Sequence, residues 1–426
     1  MKFQQAFTLH QQGHWAQAQA LYFQILEEQP QHVDALQLLG AIFLQTQQPA
    51  KAVEWMDKAL ALAPREPATH YNRGMALAEL RRYPEAIESY HRAIALNPQY
   101  AKAYAGRGDA FFALKQHDAA VTNYDRAIAL QPQLPFIHGL RLHVKTHTCN
   151  WKGMARDIQE LAQKIENKQK AIDPFGLLAL VDSLPLQQKA ATIKIQNNFP
   201  LHSELGAIVP RKARHHSKIR IGYFSADLHA HATAFLMAEL WEHHDKSRFE
   251  IIAFSFGVDS HDAMRQRLAR TFDQFIDVRN HTDKEIAQLA RQMEIDIAVD
   301  LKGFTTDNRF GIFSYRAAPI QVSYIGYPGT VGAEYMDYIV ADKTLIPETA
   351  QAFYSEKVVY LPHSYQVNDR KREISNKIFT REELGLPAKD AGFVFCCFNK
   401  LLQACFMVFS IGINSNPMVS FIFWLL

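Results

Sequence analysis

The stretch Ile219-Arg220-Ile221-Gly222-Tyr223-Phe224-Ser225, followed by Ala226-Asp227-Leu228-His229-Ala230-His231-Ala232 and then Thr233-Ala234-Phe235-Leu236-Met237, decides the reading of the chain. The first seven residues alternate apolar with small or polar side chains, as a strand does. From Thr233 the spacing changes, and Phe235, Leu236, Leu240 and Trp241 share one helical face. The segment therefore reads as strand, seven-residue turn and helix, with Thr233 as the expected N-cap. In an open parallel sheet, ligands gather beyond the carboxyl ends of strands, and a helix N-terminus there supplies free N–H groups and partial positive charge. His231 lies at that junction. A helix terminus disfavours imidazolium, so His231 is a candidate general base; with 19 histidines in the chain, a structural loop histidine is the competing reading.

Outward from this stretch, strands and helices alternate. Strands are expected over 249–256, 274–278, 295–301, 320–325, 338–341 and 358–361, with helices over 260–271 and 282–293. This alternation predicts a parallel, doubly wound α/β sheet. No G-x-G-x-x-G follows any strand, so a dinucleotide fingerprint is absent. By the carboxyl-end rule, three strand ends converge. They carry Asp227 and His231; Asp300, Lys302, Gly303 and Thr305; and the turn Tyr327-Pro328-Gly329-Thr330. Asp300 and Lys302 either pair with each other or face a ligand, and the Tyr-Pro-Gly-Thr segment is either a ligand-binding turn or only a tight turn.

Before the sheet, the first 134 residues repeat with a period of 34. Gly40, Gly74 and Gly108 hold one column. Ala18, Ala52, Ala86 and Ala120 hold a second, Tyr22, Met56, Tyr90 and Tyr124 a third, and Pro30, Pro64, Pro98 and Pro132 a fourth. Small residues where helices cross, a bulky knob between them and a proline at the turn are the requirements of a tetratricopeptide repeat. Three full repeats (33–66, 67–100, 101–134) and a shortened N-terminal unit are expected to form a superhelix. Its groove is expected to bind protein or peptide, with a spacer or dimerisation surface as the alternative. Residues 135–217 read as a helical connector, with helices over 161–172 and 177–193.

The chain has 426 residues, 48% hydrophobic and 21% charged, with a net charge of +3, as expected for two or three globular domains. That charge is too mild to argue for nucleic acid. The four cysteines form no C-x-x-C pair, which fits a reducing, cytoplasmic setting, and Met1–Gln12 holds no signal-peptide core.

These residues resemble the bacterial members of the O-linked N-acetylglucosamine (O-GlcNAc) transferase family, from residue 1 to about Asn399. The resemblance is carried by Gly222-Tyr223-Phe224-Ser225-Ala226-Asp227 with His231, by Asp300-Leu301-Lys302-Gly303-Phe304-Thr305, and by Ala318-Pro319-Ile320-Gln321-Val322-Ser323-Tyr324-Ile325-Gly326-Tyr327-Pro328-Gly329-Thr330. It is extended by Met336-Asp337-Tyr338, Tyr354-Ser355-Glu356-Lys357 and Leu361-Pro362-His363. It implies a tetratricopeptide superhelix followed by the Rossmann-like N-terminal lobe of a two-lobed (GT-B type) glycosyltransferase, residues 218–400. It also implies an inverting transfer from UDP-GlcNAc to a serine or threonine of a protein, with no metal. His231 matches the family histidine near the reacting centre. Asp227, Lys302, Gly303, Thr305, Tyr327, Pro328, Gly329 and Thr330 match the substrate-binding segments.

Two departures stand out. The family's long arrays often carry asparagine at the sixth repeat position, where this chain has Leu38, Asn72 and Gly106. After Asn399, Leu402 and Gln403 replace the family's tyrosine-lysine pair, and residues 401–426 hold no charged side chain. This reads as an aberrant apolar tail where the donor-binding lobe is expected. Asn414-Ser415-Asn416-Pro417 argues against a membrane anchor. Such a chain is expected to self-associate through the tail and to transfer no sugar by itself. A non-catalytic protein-binding scaffold is the alternative function.

Overall fold

The computed structural model describes residues 2–46, 48–208, 217–371 and 376–384. The expectation for the 401–426 tail lies outside these residues. The chain forms two compact units, the first ending at Asp157 and the second beginning at Ile158.

The first unit is built from antiparallel helix pairs: α1 (Lys2–Gln11) with α2 (Trp15–Glu28), α3 (Val33–Gln45) with α4 (Pro49–Leu62), α5 (Pro67–Glu79) with α6 (Tyr83–Leu96), and α7 (Ala101–Ala113) with α8 (His117–Leu130). The repeat columns are its core. Ala18, Ala52, Ala86 and Ala120 are fully buried, as are Tyr22, Met56 and Tyr124, with Tyr90 at 2% exposure. The glycine column exists to admit the bulky column. A Cβ on Gly40 would lie 2.9 Å from Met56, and one on Gly74 or Gly108 would lie 2.7 Å from the ring of Tyr90 or Tyr124.

After residue 134, α9 (Ile137–His147) packs on α8, α10 (Met154–Glu166) begins at the boundary of the two units, and a ladder of arginines runs through the repeats to α9. Arg73 reaches Asp57 (2.5 Å) and Ser89 (2.7 Å), each 16 residues away. Arg107, 34 residues on, reaches His91 (3.4 Å) and Asn123 (2.8 Å). Arg141, another 34 on, joins Asp125 and reaches Asp157 at 2.9 Å. Buried Lys145 also holds Asp157, at 2.6 Å. Burial pushes the Asp157 carboxyl up, but Lys145 and Arg141 together carry it below the usual range. The small-residue columns end at 134 because Leu142, Met154 and Ile158 stand where glycine, alanine and tyrosine would recur; the polar ladder persists.

The second unit begins within the segment expected to be a plain connector. The helix placed over 161–172 ends at Glu166, because Lys168 takes a left-handed conformation (φ 58°). A short α11 (Pro174–Leu178), capped by Asp173, and α12 (Leu184–Asn198) follow. Ala191 and Ile195 of α12 are buried in the main core of the sheet unit, so this helix belongs to that unit.

The sheet has seven parallel strands: β1 (Ile219–Ser225), β2 (Phe249–Ser255), β3 (Gln274–Asp277), β4 (Ile297–Asp300), β5 (Ile320–Ser323), β6 (Tyr338–Ala341) and β7 (Lys357–Tyr360). Their spatial order is β3-β2-β1-β4-β5-β6-β7. Helices α13 (Ala232–Glu242), α14 (Ala263–Thr271), α15 (Asp283–Gln292) and the single turn α16 (Gly311–Ser314) connect them. Side chains alternate across the sheet. Tyr223, Ile251, Ala253 and Val299 pack with Met237 and Trp241 of α13 and Leu268 of α14. Phe224, Ile252, Phe254 and Ala298 pack on the other face with Ile286 and Ala290 of α15. Both faces are covered, which gives the expected doubly wound fold.

Candidate active site

The strand order turns at β1: β2 and β3 lie on one side, β4 to β7 on the other. The carboxyl ends of β1 and β4 therefore flank the switch point of the sheet, where an open α/β fold leaves a crevice. Phe224 is in register with Asp300, so the loops that leave the two strands start side by side. The first carries Asp227 and His231, the second Lys302 and Gly303.

These residues meet. Lys302 Nζ donates to Asp227 Oδ2 at 2.8 Å, and both side chains are buried. The pair thus bridges two loops whose residues are 75 apart in sequence. Asp227 Oδ2 is also 3.6 Å from Nδ1 of His231, whose side chain is 44% exposed. Lys302 does not pair with Asp300. The Asp300 carboxylate instead accepts the backbone N–H groups of Lys302 and Gly303, each at 2.9 Å. Burial raises Asp300 to about 6, against the lowering effect of those two bonds and of the Lys302 charge. The N-cap of α13 is His231 itself, not Thr233. Its Nδ1 accepts the Thr233 N–H at 3.2 Å, and Ala232 is the first helical residue.

The β1–α13 loop is braced from β2 and α14. Asp262, the N-cap of α14, accepts the Ala230 N–H at 2.9 Å and the Arg265 N–H at 2.8 Å, and also takes the Ser260 hydroxyl. Burial opposes ionisation of Asp262, but these three bonds outweigh it and hold its carboxyl near 2. Arg265 is buried and donates to Ser255 Oγ (3.0 Å) and to the Leu228 carbonyl. Asp262 and Arg265 were missed by the sequence reading, although the carboxyl-end rule applied to β2 reaches them. Gly257 lets the two loops touch: a Cβ there would lie 1.7 Å from the Ala226 carbonyl oxygen.

The remaining candidates serve mostly as framework. Gly303 has φ +53°, and a Cβ on it would lie 2.4 Å from Tyr327 Cβ. Thr305 turns its hydroxyl back to the Lys302 carbonyl at 2.8 Å. Tyr327 is 4% exposed, with its ring 5.2 Å from Phe304 and 6.2 Å from Phe175. Thr330, also 4% exposed, donates to Glu356 Oε2 at 2.7 Å, and Glu356 takes the Val331 N–H as well. Pro328 is tied through its carbonyl to the Tyr354 hydroxyl at 3.1 Å, and a Cβ on Gly329 would meet the Tyr327 hydroxyl at 2.7 Å. The 327–330 turn is thus mostly buried, with Tyr327, Gly329 and Thr330 inside and only Pro328 part-exposed. Among the described residues, no group of three or more His, Cys, Asp or Glu side chains could hold a metal ion, and no helix is long and apolar enough to cross a membrane.

Residues 186–377 match the family described as Glycosyl transferase family 41, and residues 5–67 and 71–135 match the tetratricopeptide repeat. A probable UDP-N-acetylglucosamine–peptide N-acetylglucosaminyltransferase, SEC, of Arabidopsis thaliana is 30% identical over 280 residues, which is 62% of this chain and 28% of that protein. The UDP-N-acetylglucosamine–peptide N-acetylglucosaminyltransferase of Caenorhabditis elegans is 32% identical over 170 residues, 39% of this chain and 15% of that protein. The chain thus spans less than a third of either relative. Among solved structures, a mutant form of the Thermobaculum terrenum O-GlcNAc transferase shares the fold. Its TM-score is 0.53 at 24% identity, covering 78% of this chain and 58% of that one. All but the first two residues of α12, and the switch-point loops, fall inside the family 41 match, and helices α2 to α8 fall almost wholly inside the repeat matches. The chain therefore joins tetratricopeptide repeats to a region that matches glycosyl transferase family 41, the pairing that the resemblance to O-GlcNAc transferases implied.

Proposed function

We propose that this chain is the acceptor-side part of a protein O-GlcNAc transferase. The observation that carries the reading is the Lys302–Asp227–His231 cluster at the switch point, within the region that matches glycosyl transferase family 41. In the proposed reaction, a serine or threonine oxygen bonds to the anomeric carbon of GlcNAc as the bond from that carbon to the diphosphate oxygen breaks. UDP leaves with that electron pair, and the hydroxyl proton passes to a base. His231, exposed at the lip of the crevice, is the side chain set to meet the acceptor hydroxyl. In this reading Gly303, Thr305 and the Tyr327–Thr330 turn belong to the substrate-binding segments. The reading invokes no metal and no cofactor, and the donor is UDP-GlcNAc. The repeats present protein substrates along their groove, and the setting is cytoplasmic, without nucleic acid or membrane.

Positioning donor and acceptor in line supplies much of the rate in such a transfer. The test is transfer of radiolabelled GlcNAc from UDP-GlcNAc to protein serine and threonine by the protein as its cell makes it. Transfer that falls about a hundredfold or more in His231→Ala, the range of a lost acid–base or orienting group, supports the reading. Transfer indifferent to both His231→Ala and Asp227→Asn overturns it.

A further inference from the structure

We propose that His143 and His147 of α9 form a binding site for a divalent late first-row transition ion such as zinc. The two residues are one turn apart, so both rings leave the same face of the helix. Their Nε2 atoms lie 3.2 Å apart. Two nitrogens that each sit about 2.0–2.1 Å from one ion, at ligand angles between square and tetrahedral, are about 2.8–3.4 Å from each other. The pair therefore has the spacing of two ligands to a single ion. Histidines at this helical interval are also what zinc takes from one helix face in an H-E-x-x-H arrangement.

The rings are held by neighbouring helices. Phe112 of α7 packs edge-on against both, with centroids 5.4 Å from His143 and 5.1 Å from His147, each at 71°. His117 of α8 stacks on His147 at 5.7 Å and 18°. Burial lowers the His143 pKa, which favours the neutral ring that ligation requires. His147 is the last residue of α9, and the carbonyl end of a helix carries partial negative charge, which favours a bound cation. The competing reading is a hydrogen bond from one imidazole to the other, which at 3.2 Å stands at the long end of the usual range. An ion replaces that bond. The ring that held its proton on Nε2 then carries it on Nδ1, and both rings stay neutral. Ligation uses only the two Nε2 atoms, so other contacts of either ring can persist. Among the described residues no third His, Cys, Asp or Glu side chain joins the pair. Water fills the remaining positions, and the ion is exchangeable. The proposed sugar transfer does not use it.

The test is calorimetric titration of the full chain, free of any affinity tag, with zinc chloride at neutral pH. A step of one ion per chain is expected, and it vanishes in His143→Gln and equally in His147→Gln. Hydrogen exchange of wild-type peptides covering α9 serves where a variant does not fold. Zinc is expected to slow exchange in the last turn of α9, because an ion that joins residues one turn apart holds that turn closed. A zinc stoichiometry that survives either substitution overturns the proposal. So does a chain that takes up no zinc, or exchange in α9 that zinc leaves unchanged.

Discussion

Asp300→Asn tests the inner wall of the site. Asp300 is 3% exposed and is raised from 3.8 to about 6, burial being the largest cause. At about 1.4 kcal/mol per pH unit, that gap means that ionised Asp300 costs the fold about 3 kcal/mol. Below about 4 the group is protonated folded and unfolded, and it contributes nothing to pH dependence. As pH rises from about 4 to about 6, the unfolded chain loses its proton first and stability falls. Above about 6 the full cost stands. Asparagine has no such titration, but its amide nitrogen cannot accept the second of the two N–H groups from Lys302 and Gly303. One buried donor is left unsatisfied, at about 1–3 kcal/mol. The variant is therefore expected to be the less stable protein near pH 4 and to gain on wild type by up to about 3 kcal/mol by pH 7. Because the chain has two units, the assay must report the sheet alone. Urea titrations read by hydrogen–deuterium exchange of peptides covering β1 and β4, at several pH values, do so. Stability curves for the two proteins that run parallel from pH 4 to 7 would refute the argument, because Asp300 would then be no more buried from water than its unfolded form.

Three other outcomes are expected. Asp157→Ala strands Lys145, whose side chain is 5% exposed, and removes one of the two Arg141 partners; loss of such a buried partner costs about 3–5 kcal/mol, and exchange should quicken in α9 and α10 while α1 to α4 keep their protection. Gly303→Ala forces a Cβ to 2.4 Å from Tyr327 at φ +53°, which adds a left-handed penalty of about 1–2 kcal/mol to an overpacking cost of about 1–3 kcal/mol; a thermal melt of the sheet unit should fall accordingly. Gly108→Ala presses on the Tyr124 ring at 2.7 Å and should lower the array's melting temperature, while Tyr124→Leu in the same chain should recover part of the loss if the glycine column exists to seat the aromatic one.

Local periodicity made most of the fold legible, and it failed where periodicity ceased to be the signal. The repeat helices follow the columns because each column is a packing contact between neighbouring helices. Helix α9 is not legible from the columns because its residues depart from them, and only the spacing of Arg73, Arg107 and Arg141 ties it to the repeats. That spacing is readable in the sequence once the partners at 16 residues on either side are known. In the sheet, strands β1 to β7 were legible from apolar runs, whereas the end of α10 was not. There a lysine at φ 58° takes the place usually filled by glycine.

The site shows a different limit. The carboxyl-end rule is topological, so it named without coordinates loops that the structure brings together: Asp227, His231, Lys302 and Gly303 all leave the strands that flank the switch point. It could not assign partners. Asp300 and Lys302 are two residues apart and of opposite charge, yet a strand sends alternate side chains to the same face only while it stays extended, and the chain turns at Lys302. The turn gives the Asp300 carboxylate two backbone N–H groups and frees the lysine to cross to β1. A like argument covers the cap. Thr233 has the better intrinsic preference for an N-cap, but His231 is extended (φ −137°, ψ 155°) and two residues before the nitrogen it accepts from. Its Nδ1 is thus turned to the helix it begins, while 44% of the side chain stays exposed. One side chain thus caps α13 and lies 3.6 Å from the Asp227 carboxylate, so the histidine that the topological rule picked out is held in place by local helix chemistry.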